Sequence, residues 1–377
     1  MPPIPEFSLD ARLYAADRKA CFDQMRTAGR LVVINGSHCP TRRDDMLEAL
    51  RNPALSARMN VARRRPWDLM VPLMCDPPEH TGIRRILQPL FTPRGLAGLQ
   101  PALQSQAAAL IGDVATRGRC EAMRDIAVPF PAQAVLTRLG LPLGDRDWLA
   151  DVRDAVNSGV EENAESKLVT YLTWAIQAER HRPRPGSLLS RLLTSGELSA
   201  AQVLGFCWLL VFAGTETPTA AIGFALLELA RRPQLRSRLR GHPEDIEAFV
   251  DEVVRVHPPV IMVNRVATEE VTVAGVTLPT GSRATVFLEA ANLEDSGSDI
   301  SVTDDGKVCR QSHLGFGSGT HHCLGVHLAK MELSLIVAEW LRRIPEFKLQ
   351  PGFVPEIVCD RSTTFRLATL PLRWPAT

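Results

Sequence analysis

The 377-residue sequence lacks a strong excess of either charge. Its formal net charge is +1, and 23% of its residues are charged. This balance gives no electrostatic reason to expect nucleic acid or a charged membrane surface as a partner. The eight cysteines include no Cys-x-x-Cys pair, so we expect reduced thiols in a cytosol and no disulfide framework.

The sequence also lacks an apolar run of the roughly 20 residues that a membrane-spanning helix requires. Its longest run, AAQVLGFCWLLVFAG, is followed at once by TETP at residues 215–218. The run therefore predicts a helix buried inside a globular protein. The N-terminal segment, MPPIPEFSLDARLYAADRKA, has prolines and charges where a secretory signal has an apolar core. We accordingly expect a cytoplasmic protein without a membrane span.

Helical periodicity dominates the rest of the chain. It predicts helices at 16–28, 43–50, 79–90, 95–116, 145–158, 167–181, 199–231, 243–256 and 325–343. Three stretches, LVVINGS, VTVAGVTLPTGSRATVFL and TTFRLATLPLRW, combine β-branched residues with Gly and Pro in the manner of hairpins. The pattern predicts a mainly α fold with small sheets near 30–37, 258–290 and 362–374.

One connection is unusually long. Residues 292–312, NLEDSGSDISVTDDGKVCRQS, are polar and aperiodic, and ordinary connections within a domain are much shorter. We expect this loop to have a functional reason or packing of its own.

A cysteine stands in an unusual setting near the C-terminus. Cys323 lies in HLGFGSGTHHCLGVHLAKMEL, after three glycines and two histidines and directly before an amphipathic helix. Glycines allow close backbone approach to a bulky group, and a helix N-terminus stabilises a thiolate. This setting suits a nucleophile or a metal ligand. Zinc would need further ligands at a spacing that the segment lacks, and a merely buried cysteine leaves the glycines unexplained.

The segment FGSGTHHCLG resembles the haem-ligand signature of the cytochrome P-450 superfamily. Every fixed position of that signature is present: Phe316, Gly317, Gly319, His321, Cys323 and Gly325. The resemblance implies a single cytochrome P-450 domain over residues 1–377, with a helical body and small sheets around a buried haem. It implies haem b (iron protoporphyrin IX) as the cofactor, Cys323 as the axial thiolate on its iron, and Phe316, Gly317 and Gly325 beside it.

The buried helix contains a polar segment, AGTETPTA. Pro218 has no N–H, so the carbonyl of Gly214 loses its partner, and Thr217 can bond the carbonyl of Ala213. We expect the helix to open locally; an ordinary helix kink is the alternative. The segment is similar to the family's central-helix motif, which implies that Glu216 and Thr217 deliver protons to dioxygen and that Ala213 and Gly214 belong to the same catalytic segment.

Two further segments are similar to family motifs. DEVVRVHPP places Glu252 and Arg255 three residues apart, and the resemblance makes them a structural pair that holds the fold. The third member of that network can only be guessed as Arg310, because the loop reads ANLED, with Leu293 where bacterial members have arginine.

The segment DPPEHTGIRRILQPLFTP resembles the family's propionate-binding helix. His80 and Arg84 lie one turn apart there. The resemblance implies that both bind the haem propionates, together with Arg265 and His321. A buried dianionic edge requires several such cations and hydrogen bonds.

The resemblance implies a monooxygenase of the soluble bacterial type that uses dioxygen to hydroxylate or otherwise oxidise a small molecule. It implies electrons from a ferredoxin and its reductase, docked near Arg85 and Lys330. The sequence does not indicate an oligomeric state, and a monomer is the default expectation. Substrate contacts are expected at mostly apolar positions, which favours a lipophilic ligand: Trp67, Leu69, Met70, Val71, Leu209, Val260, Ile261, Met262, Thr364 and Phe365. The alternatives are a peroxide-using or substrate-coupling relative and a non-catalytic haem-binding sensor or carrier.

Overall fold

Helices form most of the protein in the computed structural model, which describes residues 4–58, 70–184, 186–359 and 364–375. In chain order these helices are α1 (Ala11–Ala16), α2 (Arg18–Ala28), α3 (Arg43–Arg51), α4 (Glu79–Leu87), α5 (Pro93–Leu96), α6 (Gln100–Ala115), α7 (Pro129–Leu139), α8 (Arg146–Ser158), α9 (Ala164–His181), α10 (Leu188–Ser195), α11 (Ala200–Arg231), α12 (Pro233–Gly241), α13 (Ile246–Val256), α14 (Leu288–Leu293) and α15 (Val326–Arg343). The mainly α class is confirmed.

Short strands form four small sheets within the described residues. They are β1 (Leu31–Ile34), β2 (Ser37–Pro40), β3 (Leu55–Ser56), β4 (Arg119–Glu121), β5 (Met262–Ala267), β6 (Val271–Val273), β7 (Val276–Leu278), β8 (Arg283–Phe287), β9 (Lys348–Leu349), β10 (Ile357–Cys359), β11 (Phe365–Leu367) and β12 (Pro371–Arg373). The largest sheet has the order β1-β2-β8-β5-β3, and the others are β4-β12-β9, β6-β7 and β10-β11. Strands β3, β4, β9 and β10 lie outside the parts predicted to contain β structure, so that prediction was incomplete.

The hairpin of β1 and β2 shows how local sequence sets register. Asn35 and Gly36 both have positive φ, 50° and 72°, as the tight turn of a two-residue hairpin requires. The strands pair antiparallel from Leu31↔Pro40 to Ile34↔Ser37. The hairpin predicted at LVVINGS is therefore present.

Helix α11 runs through the middle of the protein. Ser199 and Gln202 form a capping box at its start, in which each side chain accepts from the other's main-chain N–H. Alone among the described helices, α11 is long and apolar enough to cross a membrane, but 72% of its most apolar stretch is buried inside the protein. It packs against α7, α9, α13 and α15, as predicted for a core helix.

Candidate active site

The cysteine loop is shaped by glycines in the left-handed region. Gly317 and Gly319 have φ values of 71° and 69°. A Cβ on Gly319 would lie 2.8 Å from the carbonyl oxygen of Leu50 on α3, so only glycine fits there without a shift. The Cys323 N–H donates to the Phe316 carbonyl at 2.9 Å, which folds the loop back and leaves Cys323 just before α15.

The thiol of Cys323 is not activated by the protein alone. Burial raises its pKa, and the main-chain N–H of Gly325 and the charge of Arg84 only partly oppose this effect. A free nucleophilic thiolate would need a lowered pKa. The described residues include no cluster of three or more His, Cys, Asp or Glu side chains that could hold a metal ion.

Two histidines and two arginines gather beside this loop. The rings of His80 and His321 lie with centroids 4.5 Å apart. His80 is buried, and neither of its ring nitrogens has a hydrogen-bond partner. Arg265 is 8% exposed and donates to the main-chain carbonyl of Asn264 at 2.8 Å. Arg84 lies close enough to Cys323 to affect its pKa.

All four side chains can donate hydrogen bonds, and the two arginines among them carry positive charge. Burial, followed by the charges of Arg265 and His80, lowers the pKa of His321 to about 4. Burial also lowers the pKa of Arg265 and, with Arg84, that of His80. In the described ranges none of the four forms an ion pair with an acidic side chain. Since buried donors normally have partners, the cluster fits a group with several anionic oxygens, such as the two propionates of haem.

One stripe of α11 is less buried than the rest of the helix. Leu209, Ala213, Glu216 and Thr217 follow the four-residue and seven-residue spacing of a single face, and none of them is fully buried. The Thr217 hydroxyl donates to the Ala213 carbonyl at 2.8 Å, as predicted. The helix is nevertheless continuous through Pro218, so the prediction of a local opening was wrong. Bonds from Thr215 and Thr217 to carbonyls four residues back accompany the proline without a break in the helix.

Glu216 is held by side chains from outside α11. The Asn157 amide on α8 donates to its Oε1 atom, and the Thr364 hydroxyl donates to Oε2 at 3.4 Å. Arg153, one turn before Asn157, donates to Thr215 at 3.0 Å. Sequence analysis did not identify Asn157 or Arg153, because neither lies in a motif and their spacing on α8 indicates only a shared face.

The positions predicted to contact substrate are partly brought together. Trp67 and Leu69 lie outside the described residues. An isolated β-bridge joins Val260 to Thr364, and the Phe365 N–H donates to the Pro259 carbonyl at 2.8 Å. The hydroxyl of Thr364 in turn connects the paired segments around Val260 and Thr364 to the Glu216 carboxylate. The remaining positions are Ile261 and Val71, both buried, and Met70, Leu209 and Met262, which are half-buried.

The Glu252–Arg255 pair is fully buried, with Oε2 and Nη2 2.8 Å apart. Arg255 also donates to the carbonyls of Gly297 at 2.8 Å and Asp299 at 2.5 Å. Glu252 accepts from the main-chain N–H groups of Ser301 and Gln311, each at 2.9 Å. The long polar loop is therefore wrapped around the pair.

Arg310 does not complete this network. Its guanidinium pairs with Asp251 and lies 3.9 Å from Glu247. The guess that placed Arg310 on the Glu252–Arg255 pair was wrong, because main-chain amides occupy the acceptor sites of Glu252. Leu293 is fully buried at the end of α14, and the neighbouring Asn292 side chain donates to the Arg255 carbonyl at 3.1 Å and accepts from Leu314 N–H at 2.6 Å.

Comparison with known proteins identifies the family. A sequence model described as cytochrome P-450 matches residues 303–373. The chain is 31% identical to cytochrome P-450-SU2 of Streptomyces griseolus over 374 residues, covering 92% of this chain and 90% of that protein. It is 32% identical to vitamin D(3) 25-hydroxylase of Pseudonocardia autotrophica over 355 residues, covering 88% and 86%. This chain belongs to the cytochrome P-450 family.

A solved structure agrees with this assignment. A myxobacterial cytochrome P-450 in complex with myristic acid superposes with a TM-score of 0.84 and 28% identity, covering 97% of this chain and 98% of that one. The present cytochrome P-450 is therefore a haem-thiolate monooxygenase, and its family, fold class and enzyme class are confirmed. The roles of its individual residues stay predictions.

The two cations predicted near an electron donor differ in exposure. The Arg85 side chain is 80% exposed on α4. Lys330 is only 17% exposed, and its Nζ atom lies 2.7 Å from Asp251 and 5.8 Å from the centre of the Phe316 ring. Lys330 is therefore part of a buried ion pair beside the cysteine loop and offers little charge to a partner.

Proposed function

We propose that this cytochrome P-450 binds haem b and uses dioxygen to hydroxylate a lipophilic small molecule, with electrons from a ferredoxin and its reductase. The observation that carries the proposal is the group of two arginines and two histidines beside Cys323, of which His80 and Arg265 are buried and Arg84 and His321 are half-buried. The thiolate of Cys323 would hold the iron, while His80, Arg84, Arg265 and His321 would hold the propionates. The two arginines form no ion pair among the described residues and would gain partners from the bound propionates, to which the histidines would add hydrogen bonds.

When bound, haem with an axial thiolate supplies the chemistry that favours cleavage of the O–O bond. The protein's part is to place substrate and move protons. Glu216 and Thr217 lie on the accessible stripe of α11, and we assign proton delivery to them. A carboxylate and a hydroxyl one residue apart can pass a proton in sequence. This pair favours dioxygen over peroxide as the oxidant, because peroxide brings its own protons.

The substrate class is inferred from the lining and from relatives. Leu209, Val260, Met262 and Phe365 are apolar and half-buried. The relatives include an enzyme named for vitamin D(3) and a structure solved with myristic acid, and both ligands are lipophilic. We further propose a monomer in the cytoplasm.

The first test is the absorption spectrum of the purified protein, reduced and exposed to carbon monoxide. The wild type should show the long-wavelength Soret band from which the family takes its name, and Cys323→Ala should lack it. Cys309→Ala is a matched control, because Cys309 is also half-buried and lies outside the loop. A long-wavelength band that persists in Cys323→Ala would overturn the assignment of the thiolate.

The second test separates the proposed reaction from a carrier role. A lipophilic ligand is first chosen because it shifts the absorption spectrum of the enzyme on binding. Purified enzyme with ferredoxin, reductase and NADPH should convert this ligand to product. Turnover driven by peroxide should be slower. A protein that binds ligand but yields no product with either oxidant would favour the haem-binding carrier instead.

A further inference from the structure

Helix α8 reaches the polar segment of α11 through one face. Arg153 and Asn157 are four residues apart, so they lie on the same side of α8. Arg153 donates to the Thr215 hydroxyl at 3.0 Å, and Asn157 donates to the Glu216 carboxylate. Because Thr215 and Glu216 are consecutive, one turn of α8 donates hydrogen bonds to two adjacent residues of α11.

The Glu216 carboxylate is bound on both oxygens. Asn157 occupies Oε1, and the Thr364 hydroxyl donates to Oε2 at 3.4 Å. Thr364 is itself fixed to the main chain of Val260 through a β-bridge. Turning the carboxyl group would break both bonds. Its orientation is therefore set by α8 and by the segment that leads into β11.

The Asn157 contact is separate from what holds α8 in place. Leu149, Val152 and Val156 are buried in the apolar core, and α8 packs against α7 and α9. Removing one amide leaves this apolar packing intact. The amide of Asn157 thus orients the Glu216 carboxylate and contributes little to the stability of α8.

We propose that Asn157 is a positioning residue for proton delivery. Its amide holds the Glu216 carboxylate in one orientation between α8 and Thr364, next to Thr217 on the accessible stripe. The proposal rests on the proposed role of Glu216 as a proton donor. It adds that α8 and α11 must be in contact for that role, so any ligand that moves α8 also affects proton delivery.

The test uses the haem-loaded enzyme and four variants. Asn157→Asp keeps the shape of the side chain but replaces the N–H donor with a second carboxyl group beside Glu216, and Asn157→Ala removes the whole group. Asn163→Ala is the matched control, because Asn163 is an exposed asparagine at the start of α9 whose side chain makes no capping bond. Glu216→Gln reports the role of the acid itself.

The first measurement is product formed per NADPH consumed, compared with turnover driven by peroxide. We expect Asn157→Ala and Asn157→Asp to lower product per NADPH about tenfold, a part of the effect of a general acid, with peroxide-driven turnover and Asn163→Ala within about twofold of wild type. A purely structural role would lower both routes together and would overturn the proposal.

The second measurement does not depend on turnover. The infrared difference between wild type and Glu216→Gln isolates the carboxylate bands of Glu216, and the same difference in the Asn157→Ala background should show them shifted by loss of the N–H donor. Unshifted bands would overturn the inference. If Glu216→Gln lowers product per NADPH while both Asn157 variants do not, the inference about Asn157 fails alone. If Glu216→Gln leaves it unchanged, the proposed role of Glu216 fails and takes the inference with it.

Discussion

Glu252 is a fully buried carboxylate whose charge depends on its partners. Burial raises its pKa, but the Arg255 guanidinium and the main-chain N–H groups of Ser301 and Gln311 outweigh that effect and hold the pKa below its usual value of 4.5. A buried charge is tolerated only when its partners are in place. The pair should therefore contribute stability only while Glu252 is ionised.

This dependence has a sign that can be tested. Because the pKa of Glu252 is lower in the folded than in the unfolded protein, its stabilisation is present above the unfolded value and is lost as the pH falls through the folded one. We expect Glu252→Gln to lower the free energy of unfolding by about 3–5 kcal/mol near neutral pH. The difference from wild type should narrow as the pH falls through the folded pKa of Glu252, which lies below 4.5. Urea unfolding of wild type and Glu252→Gln, near neutral pH and at acid pH, measures this difference.

A control for the pH effect lies on the same helix. Glu247 is 66% exposed, so Glu247→Gln should change stability by less than about 1 kcal/mol. A difference between wild type and Glu252→Gln that stays constant with pH would mean that the partners do not lower the pKa of Glu252.

At the scale of elements, most of the long amphipathic helices were predicted, whereas α1, α7, α10, α12 and α14 were not. Helix α8 begins at residue 146 and α15 at residue 326, each one residue after the predicted start. Helix α7 was not predicted; Pro129 and Pro131 stand in its first turn, where proline is tolerated because its N–H would have no partner. Strands β4 and β9 pair with β12, and pairing between such distant short segments leaves no local periodicity.

The same division holds for the site. Cys323, His80 and His321 could be predicted because they stand in motifs with fixed spacing. Asn157 could not, since its contact with Glu216 depends on how α8 packs in three dimensions. The exchange of an arginine for main-chain amides at Glu252 was hidden for a related reason: every residue except proline carries an N–H, so no residue type marks such a donor.

The loop at 294–312 offers a test of this exchange. The Gln311 N–H donates to Glu252 at 2.9 Å, and proline would remove that donor. We expect Gln311→Pro to lower the free energy of unfolding by about 1–3 kcal/mol, the cost of a buried acceptor left unpaired. Gln311→Ala keeps the N–H and is the control. Equal stability of the two variants, measured in urea, would show that the amide is not needed.

Arg310→Ala completes this comparison. Its side chain is 54% exposed, and its partner Asp251 keeps Lys330 at 2.7 Å. Loss of the arginine should therefore cost less than Gln311→Pro, by the usual weakness of exposed ion pairs. A larger loss of unfolding free energy in Arg310→Ala than in Gln311→Pro would indicate that Arg310 does belong to the network that holds Arg255.

Across the whole molecule, the site borders both apolar cores. Phe316, Leu324 and Leu209 pack against the larger core of helices, which includes α11 and α15. Leu314, two residues before Phe316, belongs to the smaller core around the five-stranded sheet. Val260 and Met262 pack against this smaller core. The cysteine loop thus passes from one core to the other. This arrangement supports our proposal that residues 1–377 act as one domain.

The surface around the cysteine loop decides where an electron donor can dock. Arg84 lies near Cys323, and the next residue, Arg85, is 80% exposed. Lys330 pairs with the buried Asp251, so reversing its charge would place two carboxylates together and test folding instead of docking. Arg85 is therefore the better position at which to probe an acidic ferredoxin.

We expect Arg85→Glu to slow reduction by ferredoxin about tenfold at low ionic strength and to reduce the dependence of the rate on salt, because electrostatic attraction acts mainly on association. Stopped-flow reduction under carbon monoxide at several ionic strengths measures this. Lys348→Glu is the control: Lys348 is exposed on β9, in the three-stranded sheet with β4 and β12. Equal rates for wild type and Arg85→Glu would place the donor elsewhere, and equal slowing by Lys348→Glu would trace the effect to net charge instead of to a docking site at α4.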